Sequence, residues 1–173
     1  MEATGNPSAH SGKRFILGYH RRTRDDLMKL AVDSSSFAKR YVQEVGSDEL
    51  ERFLEDASEL AFSVVLVPEI ISGLNRRLRE HILTLVDYRA VKKQLLDDVS
   101  DATVLQITPS VVSRSVKLLE NNMLRAMDSL HVACALEWRA DLFITADRKQ
   151  FTAARNSGLH TEYIGQPVVG ADR

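Results

Sequence analysis

Apolar and polar positions are unevenly ordered along this chain. Residues 1–27 show no sustained apolar period: they hold Gly5, Pro7, Ser8, Ser11 and Gly12, then the basic cluster Arg21, Arg22 and Arg24. That composition predicts a flexible leader or extension, with Met28 as a candidate natural start. From Met28 onward, short solid apolar runs alternate with stretches of helical period. Residues 30–33 read as a buried strand and 34–43 as a helix, with Gly46 in the turn that follows. Residues 48–59 form a polar helix with Leu50, Phe53, Leu54 and Ala57 on one face. A second strand covers 60–63 or 64. Pro68 suits the first turn of a helix running to about residue 80. Residues 84–100 are helical, with Leu85, Val91, Leu95 and Val99 as the buried face. The β-branched run 103–107 is a third strand. Thr108-Pro109 opens a helix to about residue 121, ended by Asn121-Asn122. The apolar helix 125–139 is the one expected to be most buried. Residues 142–145 are strand four. Residues 147–156 are a helix stopped by Gly158, and 159–163 are strand five.

Short strands separated by helices predict an α/β fold of three layers, α/β/α. Its central, mainly parallel sheet of four to five strands carries helices on both faces. The folded domain is expected over residues 28–165, with 166–173 as a C-terminal tail. Ligand sites in such sheets lie at the carboxyl ends of the strands, near a switch in strand order.

Composition narrows the class only a little. The chain has 173 residues, 44% hydrophobic and 27% charged, as expected for one globular domain. The net charge of −1 gives no whole-molecule attraction to nucleic acid or membrane, so polyanion binding needs a local patch. Cys134 is the only cysteine, so no internal disulfide can form, and its apolar helical setting predicts a buried, inert thiol. A reducing cytoplasm fits that usage. No apolar run approaches the roughly 20 residues of a membrane span.

Candidate chemistry lies in four acids. Asp33 closes the run Met28-Lys29-Leu30-Ala31-Val32. Glu69 interrupts Val64-Val65-Leu66-Val67-Pro68 and Ile70-Ile71. Asp128 lies within Leu124-Arg125-Ala126-Met127-Asp128-Ser129-Leu130-His131-Val132-Ala133, and Asp147 follows Leu142-Phe143-Ile144-Thr145-Ala146. A carboxylate against apolar neighbours is costly unless something pairs with it, and a divalent cation is a partner all four can share. Each also has a local use. Asp147 suits a helix N-cap with Gln150 placed for a capping box, and Asp33 precedes Ser34, Ser35 and Ser36 as a cap would. Glu69 falls in the first turn of a helix. Asp128 has the poorest local alternative, a pairing with Arg125 one turn back.

In this order the four segments resemble the acidic motifs of PIN domains. They are Val32-Asp33-Ser34-Ser35, Pro68-Glu69-Ile70-Ile71, the stretch around Asp128, and Ile144-Thr145-Ala146-Asp147. The resemblance covers about residues 28–164, and the segment around Asp128 is its most specific part. Among PIN proteins, the compact size looks like the VapC toxins of toxin–antitoxin pairs. The resemblance implies an endoribonuclease dependent on Mg²⁺ or Mn²⁺. Asp33, Asp128 and Asp147 then serve as metal ligands, with Glu69 as ligand or water-orienting base. Thr145 matches the hydroxyl two residues before the last acid and is expected behind the metal ligands, and Ser35 matches a small polar position near the first acid. It also implies a homodimer bound by a cognate antitoxin, and an RNA substrate.

Basic residues available to hold RNA are Arg148 and Lys149 beside Asp147, Arg76 and Arg77 after Glu69, Arg125, and Lys39 and Arg40. Tyr41 and Trp138 form no obvious stacking platform. His131, one turn after Asp128, reads as a packing histidine with one satisfied nitrogen rather than a metal ligand. Phe37, Tyr41, Phe53 and Leu74 are candidates for a partner-facing surface on the helices over 34–80. Other α/β chemistries fit less well. A haloacid-dehalogenase phosphatase needs a second aspartate where Ser35 stands. A receiver domain needs a lysine after strand five, and none follows Tyr163. Glycine-rich phosphate loops and the nucleophile elbow are absent. Within the resemblance, an RNA-processing nuclease without an antitoxin and a non-catalytic binding module remain alternatives.

Overall fold

The computed structural model describes residues 28–166. The expected leader, Met28 as a start, and most of the expected tail therefore concern residues outside the described ones. Five strands form one sheet: β1 (Lys29–Val32), β2 (Glu59–Ser63), β3 (Thr103–Leu105), β4 (Leu142–Thr145) and β5 (Thr161–Tyr163). Their order is β3-β2-β1-β4-β5, and every neighbouring pair is parallel. The chain winds outward from β1 through β2 to β3, then crosses to the other side of β1 to make β4 and β5. The switch in strand order therefore falls between β1 and β4, where Val32 is level with Ile144.

Seven helices cover the sheet: α1 (Ser34–Phe37), α2 (Ser47–Asp56), α3 (Leu66–Arg79), α4 (Leu85–Ser100), α5 (Pro109–Asn121), α6 (Ala126–Trp138) and α7 (Arg148–Asn156). The alternation of side chains along each strand divides the interior into two cores. Leu30 and Val32 of β1, with Leu142 and Ile144 of β4, join Phe37, Leu50, Leu54, Leu66, Ile70, Leu74 and Leu95 from α1 to α4. Ala31 and Phe143, one residue out of step, join Val111, Leu118, Val132, Ala133 and Ala154 from α5 to α7. Strands with both faces covered must be apolar throughout, which is why they stood out as solid runs.

Three expectations are corrected. The helix expected over 34–43 is a single α-turn that tightens into a 3₁₀ turn at Ala38–Arg40, because Arg40 and Tyr41 are drawn to buried Asp98. Leu85 is 49% exposed, and Asp98 takes an inward place on α4 beside Leu95. Phe37 and Leu74 are buried, and Tyr41 and Phe53 pack against the same core, so they are not a partner-facing surface. Among the described residues no helix is long and apolar enough to cross a membrane. Cys134 is buried, and burial pushes its thiol pKa upward.

Candidate active site at the switch in strand order

Asp33 and Asp147 stand one and two residues past the carboxyl ends of the adjacent strands β1 and β4, and each caps the helix that follows. Asp33 Oδ1 accepts the Ser36 amide at 2.8 Å. Asp147 Oδ1 accepts the amides of Lys149 and Gln150 at 2.7 and 2.9 Å. Capping and a role in the site are thus compatible, since each cap leaves the second carboxylate oxygen for other partners. Asp33 is 0% exposed. Its Oδ2 accepts from the Ser35 hydroxyl at 2.7 Å, from Thr145 at 2.9 Å and from the Gln150 amide at 2.9 Å. These bonds, with the Ser36 amide, offset the cost of burying the carboxylate. Thr145 also accepts the Asp147 amide at 2.9 Å, so one hydroxyl ties the two caps together.

Asp128 comes to the same place from α6. The sequence suggested a helix interior with no local use for an acid. The helix instead starts at Ala126, because Arg125 is extended, and Asp128 falls in the first turn. Its Oδ2 accepts the backbone N–H of Arg125 at 3.3 Å, so the pairing with Arg125 runs through the main chain. Its Oδ1 accepts from Gln150 Nε2 at 3.3 Å. The Gln150 amide therefore touches both Asp33 and Asp128. Burial, and then the charges of Asp147 and Glu69, raise the pKa of Asp128, although the Arg125 amide acts the other way.

Glu69, in the first turn of α3, faces the group from the other core. Its Oε2 accepts from the Ser34 hydroxyl at 2.5 Å and lies 2.6 Å from His131 Nε2. A carboxylate only accepts, so the imidazole donates. Burial works to raise the Glu69 pKa, but the bonds from His131 and Ser34 outweigh it and the net shift is downward. His131 is buried with one satisfied nitrogen, as expected of a packing histidine, yet that nitrogen binds a candidate site residue. Its Nδ1 has no hydrogen-bond partner among the described residues.

The structure thus gathers Asp33, Asp128, Asp147 and Glu69, with Ser35 and Thr145 behind Asp33. Among the described residues, no three acidic, histidine or cysteine side chains are grouped so as to hold a metal ion as they stand. The caps, the Gln150 side-chain amide and the Ser34–His131 pair each engage carboxylate oxygens of the four acids. The sequence missed Gln150, His131 and Ser34 as partners of the acids. Gln150 was legible as a polar residue three positions after a cap, but its side chain does not close a capping box. The Asp147 amide goes to Thr145, and the Gln150 amide turns inward.

The basic candidates separate into two groups. Lys39 is buried and bonds Glu44 and the Val45 carbonyl, and Arg40 is buried against Glu51 and Asp98. Both hold the fold and leave the list of RNA contacts. Arg76, Arg125, Arg148 and Lys149 are exposed, and Arg77 is partly so. Arg148 lies over the Tyr163 ring, 4.6 Å from its centre, and donates to the Gln166 carbonyl at 2.8 Å. That aromatic anchor beside Asp147 was not anticipated. A shallow groove lined by Arg114, Lys117, Asn121 and Asn156 contains none of the four acids.

Residues 30–156 match the family model of the PIN domain. No curated protein matches the chain. In structure it is similar to VapBC2 from Rickettsia felis bound to a promoter DNA fragment. That likeness has a TM-score of 0.58 at 13% identity, covering 79% of this chain and 98% of that one. It is similar to VapC20 from Mycobacterium tuberculosis, a sarcin-ricin loop cleaving toxin, with a TM-score of 0.56 at 16% identity, covering 72% and 94%. It is also similar to a toxin–antitoxin complex from Klebsiella pneumoniae, with a TM-score of 0.55 at 19% identity, covering 70% and 89%. At these identities the likeness is one of fold.

Proposed function

The chain belongs to the PIN-domain family, and from that premise we propose that it is a divalent-metal-dependent endoribonuclease, the toxin of a toxin–antitoxin pair of the VapBC kind. The observation that carries the reading is the convergence of acids at the switch between β1 and β4. Asp33 and Asp128 share one amide donor, and Asp128 feels the charges of Asp147 and Glu69. A carboxylate whose charge is opposed by neighbouring acids, as that of Asp128 is, suits a hard cation, and an oxygen-only set favours Mg²⁺ or Mn²⁺ over Zn²⁺. Asp33, Asp128 and Asp147 would hold the ion, with Glu69 as a further ligand or as the base that orients water. When bound, such an ion lowers the pKa of a coordinated water and offsets charge on the phosphate.

The protein's own part is positioning. Ser35 and Thr145 fix the Asp33 carboxylate, and Ser34 and His131 fix that of Glu69. Arg148, Lys149, Arg76 and Arg125 form an exposed basic rim for the RNA backbone. A homodimer and a cognate antitoxin covering the acidic pocket complete the reading. The solved complexes with this fold support it by analogy.

The test is cleavage of a cellular RNA pool by the purified chain with Mn²⁺, Mg²⁺ or EDTA, beside Asp128→Asn. Metal-dependent cleavage lost in the variant is the expected result. Metal binding without any RNA cleavage would move the reading to another substrate. Absence of both would leave a binding module.

A further inference from the structure

Gln150 is the side chain that the site's acids share and that the proposed chemistry does not use. It is 3% exposed. Its Nε2 donates to Asp33 Oδ2 at 2.9 Å and to Asp128 Oδ1 at 3.3 Å, while its Oε1 is buried with no hydrogen-bond partner. Those two carboxylate bonds are therefore the amide's only hydrogen bonds among the described residues. An amide with two N–H groups is the neutral group best suited to sit between two carboxylates, because both N–H bonds point outward from one nitrogen.

We propose that Gln150 is a placeholder for the cation: its amide holds Asp33 and Asp128 together in the metal-free protein and is displaced from between them when a divalent ion binds. This rests on the metal-dependent reading above. The geometry fits displacement rather than coexistence. Gln150 Nε2 engages one oxygen of each of the two acids. Nothing bonds Oε1, so moving the amide forfeits only the two bonds that a cation replaces. The side chain springs from the first turn of α7, anchored by the Asp147 cap, so its swing leaves the helix undisturbed. Gln150 is thus a positioning residue. It keeps the buried acids close when no ion is present, at the expense of metal affinity.

The consequence is a pair of opposite effects that a packing role does not produce. Gln150→Met keeps the length and removes the donors. In EDTA its melting temperature should fall below wild type, because Asp33 and Asp128 lose their shared donor. In saturating Mn²⁺ it should return to the wild-type value. Calorimetric titration with Mn²⁺ should give a Kd at least about tenfold tighter than wild type, since either of the two forfeited charge-assisted bonds alone commands that change. Gln150→His, which restores one N–H, should recover part of both effects. A Kd unchanged or weaker in Gln150→Met, or an equal loss of melting temperature with and without Mn²⁺, overturns the proposal. If Gln150→Met does not fold in EDTA, near-ultraviolet circular dichroism during Mn²⁺ titration decides. Recovery of the native signal supports the placeholder, and no recovery overturns it. A wild-type chain that binds no Mn²⁺ overturns the metal-dependent reading together with this inference, whereas wild-type binding with indifferent Gln150 variants overturns this inference alone.

Discussion

Asp128 has its charge opposed by burial, by Asp147 and by Glu69, and its pKa lies above the ordinary 3.8. A raised carboxyl pKa means that the folded chain holds the proton longer than the unfolded one. Stability is therefore lost as pH rises through that interval, and the penalty is fully present at neutral pH. Asp128→Asn removes it. In EDTA at pH 7 its melting temperature should rise above that of wild type, by an amount that solvent screening of the half-buried carboxylate keeps small. The gain should vanish below about pH 3.8, where both states are protonated. Thermal melts of both proteins at pH 7 and pH 3.5 test this. A variant less stable than wild type at pH 7 would mean that Asp128's bonds to Arg125 and Gln150 outweigh the repulsion. Glu69 has the opposite sign: its pKa is held down, so its contribution is present above the ordinary 4.5 and lost as pH falls. His131→Ala should cost about 1–3 kcal/mol in urea denaturation at pH 7, because Glu69 loses a donor inside a half-buried site. A loss under about 0.5 kcal/mol, the usual range for surface changes, would show that the imidazole does not support that carboxylate.

At the level of elements, the 3₁₀ turn that follows α1 is bound to α2 and α4 by one ionic group centred on the buried Arg40 and Asp98 side chains. Arg40 donates to Asp98 at 2.9 Å and to Glu51, and Tyr41 donates to the same Asp98 oxygen at 2.9 Å. The side chains of Arg40 and Asp98 are only 6% and 7% exposed. Removing Arg40 takes the guanidinium from the buried Asp98 carboxylate and leaves it the neutral Tyr41 hydroxyl. Arg40→Met should cost about 3–5 kcal/mol, while Arg40→Met with Asp98→Leu should recover much of the loss. Equilibrium urea unfolding of the single and double variants measures the difference, and equal losses would exclude the coupling. This group also explains what the sequence left hidden. The inner strands β1, β2 and β4 read well because both their faces are apolar, whereas β3 and β5 are shorter than the expected 103–107 and 159–163, and helix starts read correctly where Thr84, Thr108 and Asp147 supply caps. The early end of the first helix did not, because it depends on Asp98, 58 residues away from Arg40. The site divides in the same way. The acids showed as charges breaking apolar runs, and Ser35 and Thr145 as neighbours of those acids. Gln150, His131 and Ser34 contact the acids across separate elements, a relation that no local spacing encodes.

For the whole molecule, a net charge of −1 and a pocket of acids leave no general attraction for RNA. On the proposed function, affinity for RNA rests on the exposed cations beside Asp147, and they are not equivalent. Arg148 is held in place by Tyr163 and the Gln166 carbonyl, so little side-chain freedom is lost when it meets a phosphate. Among the described residues no contact of that kind holds the Lys149 side chain, so it has more freedom to lose on binding. Arg148→Ala should therefore weaken RNA binding more than Lys149→Ala, with Asp128→Asn as the common background to prevent cleavage. Single-stranded RNA contributes a slope of about −0.7 in log K against log salt for each phosphate neutralised. Removing both cations should flatten the slope by roughly 1.4 on the same basis. Fluorescence anisotropy with a labelled RNA from 50 to 200 mM salt, on the order of the usual range, gives both quantities at once. An unchanged slope would place the RNA path away from Asp147. A flattened slope with equal single-site losses would keep the path but deny the anchored arginine its special weight. Only unequal losses with a flattened slope match a molecule that confines its attraction for RNA to one prearranged edge of an otherwise neutral surface.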